Sequence, residues 1–109
     1  MIQNKANIEA LDNYGETPLN AACSKGCLKT VCHLIKNKAN IETPNNNGDT
    51  PFNSACNQNR LDFVQYLITK KANIETPNNE GDTPLHQTCI AGYLEITKFL
   101  INSKAKIEI

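Results

Sequence analysis

The string Thr17-Pro18-Leu19 returns as Thr50-Pro51-Phe52 and again as Thr83-Pro84-Leu85, a constant step of 33 residues from 17 to 50 to 83. A second string keeps the same step and phase: Lys5-Ala6-Asn7-Ile8-Glu9, then Lys38 to Glu42, Lys71 to Glu75 and, with one change, Lys104-Ala105-Lys106-Ile107-Glu108. Two independent strings in one phase define a repeat array. Each unit of such an array is one supersecondary element that cannot bury its own apolar face, so neighbours must stack. Stability then comes from nearest-neighbour contacts, and function lies on the surface the stack shares.

The middle unit is the clearest to read. Thr50 is suited to cap a helix through its hydroxyl, and Pro51 suits the first helical position, where no N–H is needed and a fixed φ helps. A short helix is predicted from Pro51 to about Cys56, with Phe52, Ala55 and Cys56 on its buried face. The small residues allow close approach of a neighbouring helix. Asn59 stands where the flanking units have Gly26 and Gly92, residue types that accept a left-handed backbone between two helices. Leu61, Val64, Leu67 and Ile68 mark the stripe of a second helix, with Asp62, Gln65 and Thr69 toward water. The run from Pro77 to Gly81 makes the turn into the next unit.

The phrase Gly-x-Thr-Pro-Leu-x-x-x-Cys, with Phe52 for Leu in the middle unit, resembles the ankyrin repeat, whose marker is Thr-Pro-Leu-His followed by small residues. The resemblance implies an all-α repeat solenoid of helix-turn-helix units joined by β-turn fingers. It divides the chain into residues 1–11, the tail of a preceding unit, and three full units at 12–44, 45–77 and 78–109. An incomplete first unit and the apolar Leu94, Ile96, Phe99, Leu100 and Ile101 in the last suggest a portion of a longer array. His86 occupies the marker histidine position, whose usual role is a hydrogen bond tying neighbouring fingers together; Asn20 and Asn53 stand there in the other units. Lysines 5, 38, 71 and 104 depart from the pattern, which usually has Gly there. Either they adopt the left-handed region at a cost, or the turn is rearranged.

In the ankyrin family, partners bind to the finger tips and to the exposed ends of the first helices on the concave side. By repeat position the first finger supplies Asn13, Tyr14 and Glu16. The second supplies Asn46, Asn47 and Asp49, and the third Asn79, Glu80 and Asp82. The helix ends add Ser24 and Lys25, Asn57 and Gln58, and Ile90 and Ala91. Tyr14 and Ile90 are the residue types that anchor interfaces. Glu16, Asp49 and Asp82 precede the capping threonines and are expected to face solvent near a helix N-terminus.

Formal net charge is zero, which removes the broad attraction that drives binding to nucleic acid or anionic lipid. No apolar stretch approaches a membrane span and no secretory leader is evident, so the expected setting is cytoplasmic. No phosphate loop, nucleophile–base arrangement or paired carboxylates in an apolar pocket can be assembled, so neither enzyme activity nor a cofactor is expected. The expectation is a monomeric module that binds a protein partner. The alternatives are a docking segment for a catalytic domain elsewhere, or a redox or metal sensor built on Cys23, Cys27, Cys32 and His33. Against the sensor, these residues lack the Cys-x2-Cys spacing of structural zinc sites. Cys23, Cys56 and Cys89 share one repeat position, about 8 to 10 Å apart if they follow packed helices, too far for disulfides. All three are expected to be buried and reduced.

Overall fold

The computed structural model describes residues 6–103. Among them are six helices and no strand. The first helices are α1 (Pro18–Lys25), α3 (Pro51–Asn57) and α5 (Pro84–Ala91), paired with the second helices α2 (Leu28–Lys36), α4 (Leu61–Thr69) and α6 (Leu94–Asn102). The first helices stack α1 on α3 on α5, each also packing on its own partner, while α4 meets α6. The result is elongated, 58 × 25 × 20 Å, as a one-dimensional stack requires. Lys5 and the copy of the second string from Lys104 to Glu108 lie outside the described residues.

Each first helix begins as its sequence demands. Thr17, Thr50 and Thr83 hold extended backbone and accept a hydrogen bond from the amide three residues on, with proline at the first helical position. Leu19, Val31, Phe52, Val64, Leu67, Ile96 and Leu100 form a continuous, fully buried core. Ala22, Cys23, Ala55 and Cys56 lie among them and admit the neighbouring helix. Phe63, outside the predicted stripe, is also buried; Arg60 lies over its ring at 4.6 Å from the centroid and covers it with a cation–π contact.

The turns follow the sequence in part. Asn59 and Gly92 are left-handed as expected, at φ 58° and 76°. Gly26 is not: its backbone is extended, at φ −91°. A Cβ there would lie 2.9 Å from Ala22 Cα, so the site requires glycine for close approach rather than for handedness. Its carbonyl is taken by the Arg60 guanidinium of the next helix pair. Lys38 and Lys71 do adopt the left-handed region, at φ 69° and 67°. Around Lys71 the turn is closed by Lys71 N donating to Ile68 O at 2.9 Å and Ala72 N to Leu67 O at 3.0 Å, and Lys38 is enclosed in the same way. The lysines therefore bear a cost on the order of 1 kcal/mol each.

Polar side chains tie the first helices to the loops that follow their helix pairs. Asn20 and Asn53 are fully buried at the third position of their helices. Thr50 Oγ1 donates to Asn53 Oδ1 and accepts from Asn53 N, while Asn53 Nδ2 reaches across to donate to Thr76 O at 3.1 Å. Asn20 makes the same bonds to its capping Thr17 but reaches into the next unit, donating to Asp49 O at 3.0 Å, whereas Thr76 lies at the end of Asn53's own unit. His86 makes no such tie. Its Nδ1 closes a capping box on Thr83 N and Oγ1, and the ring is exposed, because among the described residues no later finger stands within reach. The tie expected of the histidine is made by Asn20 to the second finger, while Asn53 bonds the end of its own unit.

A further link comes from the second string: Glu9 Oε2 accepts from Asn40 N, and Glu42 Oε2 from Asn73 N, both at 2.9 Å. These carboxylates clamp adjacent units rather than merely balancing the nearby lysines.

Removing the buried amide in Asn53→Ala strands the Thr76 carbonyl and a threonine hydroxyl, so chemical unfolding should show a loss of about 2 kcal/mol or more. Lys71→Gly should raise stability by about 0.5–1 kcal/mol, the left-handed cost less the added freedom of the unfolded chain. A neutral or negative result by the same measurement would show that the lysine stem contributes packing of equal size.

Candidate partner-binding surface

The fingers are built on one side chain each. Asp12, Asn45 and Asn78 use Oδ1 to accept two backbone N–H groups: those of Tyr14 and Glu16, Asn47 and Asp49, and Glu80 and Asp82. Such Asx turns let a short polar side chain fix the loop. A backbone pair closes each base, as in Asn45 N to Asp49 O at 2.9 Å. The fingers then bond to one another: Asn46 N donates to Tyr14 O at 3.2 Å and Asn79 N to Asn47 O at 3.0 Å. Gly48 permits this contact. Its φ is 80°, and a Cβ would fall 2.7 Å from Asn79 N.

This lattice presents the finger residues in two notches beside the first helices. The smaller, about 270 Å³, is lined by Tyr14, Glu16, Lys25, Asn45, Asn46 and Asn47. The larger, about 450 Å³, gathers Asn47, Asp49, Asn57, Asn79, Glu80, Asp82 and Ile90, with Asn78 and Gln87 completing its wall. Asn13, Ser24, Gln58 and Ala91 line neither; Ser24 turns inward enough to donate to Ala21 O at 3.3 Å. Tyr14 is 73% exposed and Ile90 78%.

Asp49 departs from the solvated role expected of it. It is half-buried, and burial pushes its carboxyl above the ordinary 3.8, assisted by the nearby Glu80 charge and opposed by bonds from Gln87 and Asn78. Gln87 Nε2 reaches it at 3.3 Å, and Gln87 Oε1 is buried with no hydrogen-bond partner. Gln87 is a site residue that the repeat pattern alone passed over. The available signal was its place: a long amide where the other units have Ala21 and Ser54.

The cysteines divide by position. Cys23 and Cys56 are buried in the stack, and burial pushes both thiols up to about 12. Cys89 is exposed, contrary to expectation. It occupies the same helix position, but the described residues hold no further first helix to cover it. Cys27 is exposed and its thiol is lowered, chiefly by the Thr30 hydroxyl at 3.3 Å. Cys32 and His33 share a shallow apolar recess that Cys23 and Cys27 do not line. Among the described residues no three Cys, His, Asp or Glu side chains converge as metal ligands, and no helix is long and apolar enough to cross a membrane.

Paired helices stacked in register and joined through bonded β-turn fingers define a helical repeat solenoid with a side-chain lattice along one edge. Family comparison agrees: residues 28–109 match a model of ankyrin repeats in three copies, and residues 1–53 a model of ankyrin repeats in many copies. The chain belongs to the ankyrin-repeat family. A search of curated proteins finds no match. Ankyrin repeats are generally non-catalytic modules of protein–protein interaction.

Thiol titration of the native chain should modify Cys27 and Cys89 rapidly, Cys27 keeping its rate at lower pH because its thiolate is favoured, with Cys23 and Cys56 reacting only on unfolding. The Asp49 carboxyl is raised on folding, so its contribution to stability is full below the unfolded pKa and is lost as pH rises through the folded value. Asp49→Asn should therefore gain in melting temperature relative to the parent between about pH 3.5 and pH 7. A gap between the two that stays constant over that range would show that the carboxylate bears no burial cost.

Proposed function

We propose that the chain is a single ankyrin array, with unit boundaries at 12–44, 45–77 and 78–109 after a tail at 1–11, that binds a protein partner through its finger tips and the adjacent ends of its first helices. The observation that carries this reading is the exposure of Tyr14 and Ile90 beside the two notches, held by a lattice of finger-to-finger bonds. An aromatic ring and a branched aliphatic on a pre-ordered surface lose apolar hydration on docking at small conformational cost. The array acts as a monomer, without catalysis, cofactor, nucleic acid or membrane. Its setting is the cytoplasm, where reduced cysteines such as the five here persist.

The test is affinity capture of the array followed by mass spectrometry, then binding measurements with the captured protein. Tyr14→Ala and Ile90→Ala should each weaken binding by more than about 1 kcal/mol, the level that separates anchors from bystanders. Gln65→Ala, on the exposed face of α4, should not. If Gln65→Ala proves damaging and the two anchors are silent, the partner uses the back of the stack.

A further inference from the structure

We infer that the larger notch, between the second and third fingers and α5, is a receptor for a basic side chain, arginine above lysine, carried by the protein partner. The inference rests on the partner-binding reading above and specifies what that surface recognises.

Charge is the first argument. Asp49, Glu80 and Asp82 all line the notch, and no Lys, Arg or His lines it with them. The smaller notch is different, because there Lys25 stands beside Glu16. A chain of zero net charge thus keeps one uncompensated acidic recess next to a compensated one. Such a recess concentrates the potential that attracts a cation and disfavours anionic partners.

The second argument is an unmet hydrogen bond. Gln87 spends its amide N–H on Asp49, while its carbonyl oxygen is buried without a partner. A buried acceptor left unpaired costs free energy that an incoming donor recovers. The three carboxylates and the unpaired Gln87 carbonyl are acceptors that an incoming cation with several N–H donors can meet. A guanidinium brings five N–H donors in one plane and a weakly hydrated charge, whereas an ammonium is a compact, strongly hydrated point charge. Ile90 supplies exposed aliphatic surface for the methylene stem of the same side chain. The volume of about 450 Å³ accommodates one long side chain and part of its backbone.

The test needs no captured partner. N-acetyl-arginine N-methylamide is titrated into the isotope-labelled chain by NMR, beside its lysine counterpart and its citrulline counterpart, the neutral isostere of arginine. Saturable shifts are expected at Asn47, Asp82 and the Gln87 side-chain amide, with citrulline weaker by about tenfold or more and lysine between the two. The double change Asp49→Asn with Asp82→Asn should weaken the arginine probe by a similar factor, its fold being checked by thermal melting. Gln87→Leu should narrow the preference for arginine over lysine. Equal response to arginine and citrulline, or shifts outside the notch, would overturn the proposal; that comparison uses the unmodified chain and stands even if a variant fails to fold. With a captured partner, loss of binding in Ile90→Ala but none in the double Asp variant would sink this inference and leave the partner-binding reading intact. Silence of Tyr14→Ala and Ile90→Ala would sink that reading instead.

Discussion

The first two units are anchored by a buried amide at the start of a helix. Asn53 satisfies the hydroxyl of its own cap through one end and a carbonyl of the next loop through the other. Asn20 does the same at its own cap and reaches further, to Asp49 in the second finger. An amide sealed from water is costly unless its groups are bonded, so the loop must run where its carbonyl meets the asparagine. One side chain thereby fixes both where a helix begins and where the loop after its helix pair runs. The loops are held from within, which is why the fingers can present a defined surface although most of their residues are exposed.

The same logic accounts for the lysines. Lys38 and Lys71 hold a backbone conformation that a residue with a Cβ disfavours, and they hold it because the helix behind them is closed by two hydrogen bonds and the chain ahead is tied down. Asn40 and Asn73, two residues on, each donate a backbone N–H to a glutamate of the preceding unit. A turn bonded on both sides leaves no room for relaxation. Local strain of this kind persists only where the surroundings over-determine the conformation.

What was legible in the sequence follows from range. The capping threonines, the prolines after them and the apolar stripes act within a few residues, and all three first helices begin where they indicate. The glutamate clamps span 31 residues, so along the chain those side chains look like a solvated ladder beside a basic one. Gly26 misled for a different reason: glycine serves handedness and close approach alike, and only the position of Ala22 distinguishes them. Phe63 fell outside the helical stripe although its repeat equivalent, Ile96, is also buried in the core, and Arg60 covers its ring. Repeat position placed Cys89 with Cys23 and Cys56, yet burial there is conferred by the neighbouring unit and not by the residue.

The candidate site obeys the same division. Repeat geometry dictates that a notch lies beside each pair of fingers, but it says nothing of what the notch selects. Selection comes from the positions where units differ. Gln87 stands in the place of Ala21 and Ser54, Ile90 in that of Ser24 and Asn57, and Glu80 in that of Tyr14 and Asn47. Each exchange changes the chemistry at one wall of the larger notch: an acceptor without a donor, an apolar surface, an added negative charge. The backbone beneath them needs no alteration, because the Asx turn, the finger-to-finger bonds and the capping threonine are the same in the units on both sides. A scaffold of repeated polar joints is free to vary the side chains between them, and three of those variations meet where α5 faces the second and third fingers.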